Sequence, residues 1–109
     1  MESTFENANI LNFTKLVEYS SNGIVSKRVI DRSTGTITLF SFDKDQKLSE
    51  HTAPFDALVQ VIEGRAEIII DGEYFLVNAG ESIILPVGKV HSVNAVERFK
   101  MLLTTIKGK

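Results

Sequence analysis

The chain has 109 residues, 43% hydrophobic and 24% charged, which suits one domain with a modest core. Lys and Arg number 12 against 14 Asp and Glu, a formal net charge of −2 with no basic stripe, so the sequence offers nothing to nucleic acid or to an anionic membrane. Cysteine is absent, which excludes disulfides, thiolate nucleophiles and Cys-ligated zinc.

The opening stretch MESTFENANILNF has no basic region followed by an apolar run, so it does not read as a signal peptide. No apolar run approaches the roughly 20 residues that span a bilayer, and the expected location is the cytoplasm. Residues 1–22 read as an N-terminal arm and 23–109 as a single β domain. Within the arm, ILNFTKLVEY (10–19) predicts one helical turn at most, and SSNG (20–23) predicts a turn.

From there strand signals dominate. IVSKRVID (24–31) is rich in β-branched residues, and TITLFSF (36–42) alternates, with Ile37 and Leu39 on one face and Phe40 and Phe42 on the other. DKDQK (43–47) predicts a charged loop. ALVQVIEG (57–64) predicts a strand that ends at Glu63–Gly64. RAEIIIDGEYFLV (65–77) is the clearest local signal: Asp71–Gly72 lies between two apolar runs, and Asp-Gly adopts the positive φ angles of a type I′ hairpin. NAGE (78–81) predicts another turn, followed by SIILP (82–86), VHSVNAV (90–96) and RFKMLLTTI (98–106). Short strands with turns every 8–12 residues or so predict an all-β sandwich or barrel.

Several strands are apolar on both faces. In FKMLLTTI, Phe99, Met101 and Leu103 oppose Leu102 and Ile106. One face fills an interior, and the other must also leave water. The expectation is a homodimer with sheets packed face to face; the alternative is that the arm covers this surface.

His51 and His91 are the only histidines. Side chains two apart share a face of a strand. His51 thus heads a row of Ala53, Phe55, Ala57 and Val59, and His91 heads a row with Val93. Both rows are apolar, which predicts two imidazoles at the mouth of an interior.

The segment from His51 to Gly64, HTAPFDALVQVIEG, resembles the first motif of the cupin superfamily, and GESIILPVGKVH (80–91) resembles the second. The second carries Gly80, Pro86, Gly88 and His91 at the family spacing, with the later asparagine as Asn94, one position early. The resemblance implies a double-stranded β-helix, or jelly-roll barrel, commonly dimeric. In metal-binding cupins, His-x-His and a Glu from the first motif join a His from the second around iron, manganese, nickel, zinc or copper. Here His51 and His91 occupy the first and last positions, while Ala53 and Ala57 stand where the second His and the Glu belong. Tight first-row metal sites use at least three protein ligands. The resemblance therefore implies one weakly held divalent ion on His51 and His91, or none.

Two residues are candidates for a further ligand. Asp56 lies one residue from the Glu position, and a bulge at Pro54 would turn it inward; otherwise it is a turn or surface carboxylate. Gln60 has an amide oxygen, but alternation puts it on the opposite face. The two alanines free volume between the histidines, which predicts a small-molecule pocket lined by Ala53, Phe55, Ala57, Val59 and Val93. Ser49, Ser82 and Ser92 sit in no nucleophile-elbow context, and no phosphate-binding glycine motif occurs. Two functions follow from the resemblance and the pocket together. One is a metal-dependent dioxygenase, isomerase or lyase, or a metal-free variant with His91 as general base. The other is a non-catalytic small-ligand binding or sensor module.

Overall fold

The computed structural model describes residues 5–108. The arm contains one four-residue helical turn, α1 (Phe13–Leu16), and eight strands follow: β1 (Ile24–Arg32), β2 (Gly35–Phe42), β3 (Lys47–His51), β4 (Asp56–Ile70), β5 (Glu73–Asn78), β6 (Ser82–Leu85), β7 (His91–Asn94) and β8 (Phe99–Ile106). All pairings are antiparallel. One sheet runs β1-β2-β8-β4-β6 and the other β3-β7-β4-β5, with β4 belonging to both.

The expected break at Glu63–Gly64 is instead a bend. β4 runs through it for 15 residues, pairing β8 and β6 before Gly64 and β5 and β7 after it. A register shift between Val61 and Glu63 starts the bend, and Gly64 completes it at φ 75°. A Cβ at Gly64 would sit 2.0 Å from the carbonyl oxygen of Arg98, so only glycine lets the strands approach this closely. The sequence signal of a turn residue was real, but β8 and β6 hold the chain extended before it and β5 and β7 hold it extended after it.

The hairpin at Asp71–Gly72 forms as its residues predict, with φ 52° and 85°. The strand Lys47–His51, by contrast, begins inside the predicted loop. It is short and mostly exposed, and it pairs only β7, so it shows little of the alternation that marks a half-buried strand.

Two separate apolar clusters result. Between the sheets, Phe42 stacks on Phe99 with centroids 4.5 Å apart, surrounded by Val59, Val61, Ile68, Val93 and Met101. On the outer face of the first sheet, Val29, Leu39 and Leu102 meet Leu11, Phe13, Leu16 and Val17 from the arm. The opposed rows of β2 and β8 are thus divided as read from sequence, Phe40 and Phe42 inward, Ile37 and Leu39 outward. It is the arm, and not a second sheet, that covers the Ile37–Leu39–Leu102 face. That surface therefore no longer argues for a face-to-face dimer. Among the described residues no helix is long and apolar enough to cross a membrane.

Candidate functional site

His51 ends β3 and His91 begins β7, and the two are paired across the ladder. The pairing depends on a bulge. Leu48 opposes Val93, yet His51 opposes His91, so β3 takes three steps where β7 takes two. Regular pairing would have set Glu50 against His91 and turned His51 to the other face. The extra residue re-aims the imidazole toward its partner, a recurrent use of bulges beside functional sites. On its other side His91 pairs Ile70, and its neighbour in the inward row, Val93, pairs Ile68. His91 is 5% exposed while His51 lies open to solvent, which places the pair at the rim of the barrel.

The rings meet at 71° with centroids 4.2 Å apart, and the two Nε2 atoms are 3.0 Å apart. Each Nδ1 faces a backbone carbonyl two residues earlier, Ser49 O at 2.8 Å from His51 and Lys89 O at 3.3 Å from His91. A carbonyl only accepts, so these contacts place the proton on Nδ1 and leave Nε2 with its lone pair. Two lone pairs facing each other at this distance repel unless a proton or a cation stands between them. Burial holds the His91 imidazole below the ordinary histidine range, the nearby His51 lowers it further, and the Lys89 carbonyl partly offsets both.

The surrounding loops are tied together. Gly88 N donates to Ala53 O at 2.9 Å, Asp71 N to Val90 O at 2.7 Å, and Val87 N to Asp56 Oδ1 at 3.0 Å. Asp56 is thereby occupied outside the barrel, where it lines a depression with Leu58, Ile84, Thr104 and Ile106. Gln60 lies on the same outer side, paired with Ser82 and Leu102 and alternating with the buried Val59 and Val61. Neither candidate for a further ligand reaches the imidazoles: no bulge at Pro54 turns Asp56 inward, and the alternation of β4 fixes Gln60. Among the described residues no group of three or more His, Cys, Asp or Glu could hold a metal.

Of the expected pocket residues, Ala57, Val59 and Val93 belong to the packed core. Ala53 and Phe55 are half-buried, with the Lys107 ammonium 5.5 Å from the Phe55 ring centroid. The bulge and the two anchoring carbonyls had no signature in the residue pattern, because both are properties of backbone register.

The separation of the two imidazole nitrogens lies in the range that two ligands of one divalent ion take. Ligand bonds of about 2.0–2.1 Å imply nitrogens about 2.9 Å apart at a right angle and about 3.4 Å at the tetrahedral angle; the 3.0 Å observed falls within that range. Both rings are already oriented through Nδ1, as metal-binding histidines usually are. What is missing is a third protein donor.

An antiparallel jelly roll with two histidines at its mouth defines an all-β barrel protein. The cupin domain model matches residues 38–106, and the chain belongs to the cupin family. It is similar to the conserved protein SPY1581 of Streptococcus pyogenes, at 37% identity over 99% of this chain and 95% of that one, with a TM-score of 0.93. A cupin 2 conserved barrel domain protein from Leptotrichia buccalis is 42% identical over 89% of this chain and 47% of its own, with a TM-score of 0.87. The polyketide synthase CurC of Streptomyces cyaneus is 30% identical over 63 residues; that match covers 57% of this chain and 41% of CurC.

Proposed function

We propose that this cupin barrel binds an oxygen-bearing small molecule at its mouth through a divalent ion held weakly by His51 and His91. The observation that carries the reading is the pair of Nε2 atoms at 3.0 Å, each ring anchored through Nδ1 to a main-chain carbonyl. An ion there supplies Lewis acidity to the bound oxygen. The chain's own residues orient two neutral donors, bury one of them, and leave the remaining coordination positions to water or substrate. Iron, nickel, zinc and copper suit imidazole donors, while manganese favours oxygen donors, which water or substrate would supply. The chemistry matching such an open site is of dioxygenase, isomerase or lyase type.

Calorimetry with each ion tests this. The expected result is about one site per chain with a Kd of micromolar order or weaker. His51→Ala and His91→Ala should each abolish binding while the far-ultraviolet circular dichroism of the barrel persists. Absence of binding for all five ions would sink the metal reading. The barrel would then be a metal-free binding or sensor module whose imidazoles share a proton, and a thermal-shift screen of sugars, keto acids and small aromatics would identify its ligand class.

We also infer that the chain forms a homodimer. Support comes from the outer face that the arm leaves open, where Ile84 and Ile106 are 62% and 68% exposed beside Leu58.

A further inference from the structure

The arm is fastened to the barrel through its main chain. The carbonyls of Thr14, Leu16 and Glu18 accept hydrogen bonds from Lys100 Nζ at 2.6 Å, Lys27 Nζ at 2.6 Å and Ser41 Oγ at 2.7 Å. These donors stand on β8, β1 and β2, beneath the arm. Lys100 differs from the other two. It is only 7% exposed, and its ammonium also lies 3.5 Å from Glu63 Oε2 and 4.9 Å from the centroid of the Tyr19 ring. The same Glu63 oxygen accepts the Tyr19 hydroxyl at 2.5 Å, and the Arg98 guanidinium covers the ring at 4.8 Å. Burial, reinforced by Glu63, pushes the Tyr19 hydroxyl well above the ordinary phenol range, so it remains a donor.

A buried ammonium is costly unless partners replace its water. Two of those that Lys100 has, the Thr14 carbonyl and the Tyr19 ring, belong to the arm. They exist only while the arm is closed. The barrel's core shares no residue with the cluster under the arm.

We propose that Lys100 is the latch of a movable strap, residues 11–19, which opens and closes over the outer face as a unit separate from the barrel. Open, the strap bares Val29, Leu39 and Leu102; closed, it withholds them. Lys27 supports the strap through one carbonyl, but it is less buried than Lys100 and takes no side chain of the arm as a partner in the same way.

Hydrogen exchange of residues 11–19, together with tryptic cleavage after the exposed Lys15, tests the latch in the full chain. Lys100→Met should speed both by about ten-fold or more, the loss expected for a hydrogen bond to a charged group. Amides of β4 and β7 should keep their protection, and Lys27→Met, which removes one carbonyl contact but no arm side-chain partner, should speed the segment by a smaller factor. Glu63→Gln keeps Lys100 in place and removes only its carboxylate, so it should speed the same segment by a smaller factor. The proposal is overturned if Lys100→Met and Glu63→Gln both leave the arm protected. It is equally overturned if Lys27→Met opens the arm as far, or if the barrel strands lose protection together with it.

Discussion

At the scale of single residues, the protein relies on side chains whose environment is set by backbone carbonyls and amides. His51 and His91 are oriented by carbonyls; Lys27, Lys100 and Ser41 bind carbonyls; Asp43 gathers amides. Asp43 Oδ1 accepts from Arg98 Nε at 2.8 Å and Lys44 N at 3.0 Å, while Oδ2 accepts from Asn22 N at 2.7 Å. The Arg98 hydrogen bond leads in lowering the carboxyl from 3.8 to about 2, with the Asn22 and Lys44 amides adding to it. Because the folded value lies below the unfolded one, the stabilisation is present above pH 3.8 and is lost as pH falls through about 2. Asp43→Asn should therefore melt below the wild type at neutral pH, with the gap closing as the pH is lowered through that window. Thermal melts between pH 5 and pH 2 check this, and a gap independent of pH would show that the carboxylate's charge is not what stabilises the turn.

At the scale of elements, β4 is the part on which the barrel depends, since it alone pairs in both sheets. Its bend needs the positive φ and the bare backbone of Gly64. Gly64→Ala combines strain at φ 75° with a Cβ pressed on the Arg98 carbonyl, and should cost more than about 2 kcal/mol in urea denaturation. Gly72→Ala is the comparison. Its φ is 85°, but nothing lies within 4 Å of the added Cβ, so only conformational strain of roughly 1 kcal/mol is expected. Equal losses in the two variants would mean that the close approach at Gly64 contributes nothing.

At the scale of the whole molecule, two parts of the first sheet's outer face meet different ends. The arm covers the one bearing Leu39 and Leu102. The one bearing Leu58, Ile84 and Ile106 remains open, and β6, its edge strand, is four residues long and pairs β4 alone. Sedimentation equilibrium should find the wild type dimeric at micromolar concentration and the Ile84→Asp, Ile106→Asp double variant monomeric. A monomeric wild type, or a variant that stays dimeric, would rule this face out as the interface. The mouth of the barrel is spared by these changes, so metal binding by the variant also reports whether the site is complete within one chain.

The linear pattern was enough to read the architecture of this protein. Alternation along β2 and β8 told which side chains face the core, Asp71–Gly72 told where a hairpin turns, and the spacing of Gly80, Pro86, Gly88 and His91 told which family shares the barrel. It also singled out His51 and His91, because two polar rings at the head of apolar rows have few places to go. The convergence of those rings was decided only by tertiary register, since one extra residue in β3 determines whether His51 or Glu50 meets His91. The same holds for the turning away of Asp56, the passage of β4 through Gly64, and the closing of the arm around Lys100. Each depends on contacts between segments far apart in the chain. Periodicity reports which face a residue takes within its own strand, but not which strand, loop or arm lies against that face.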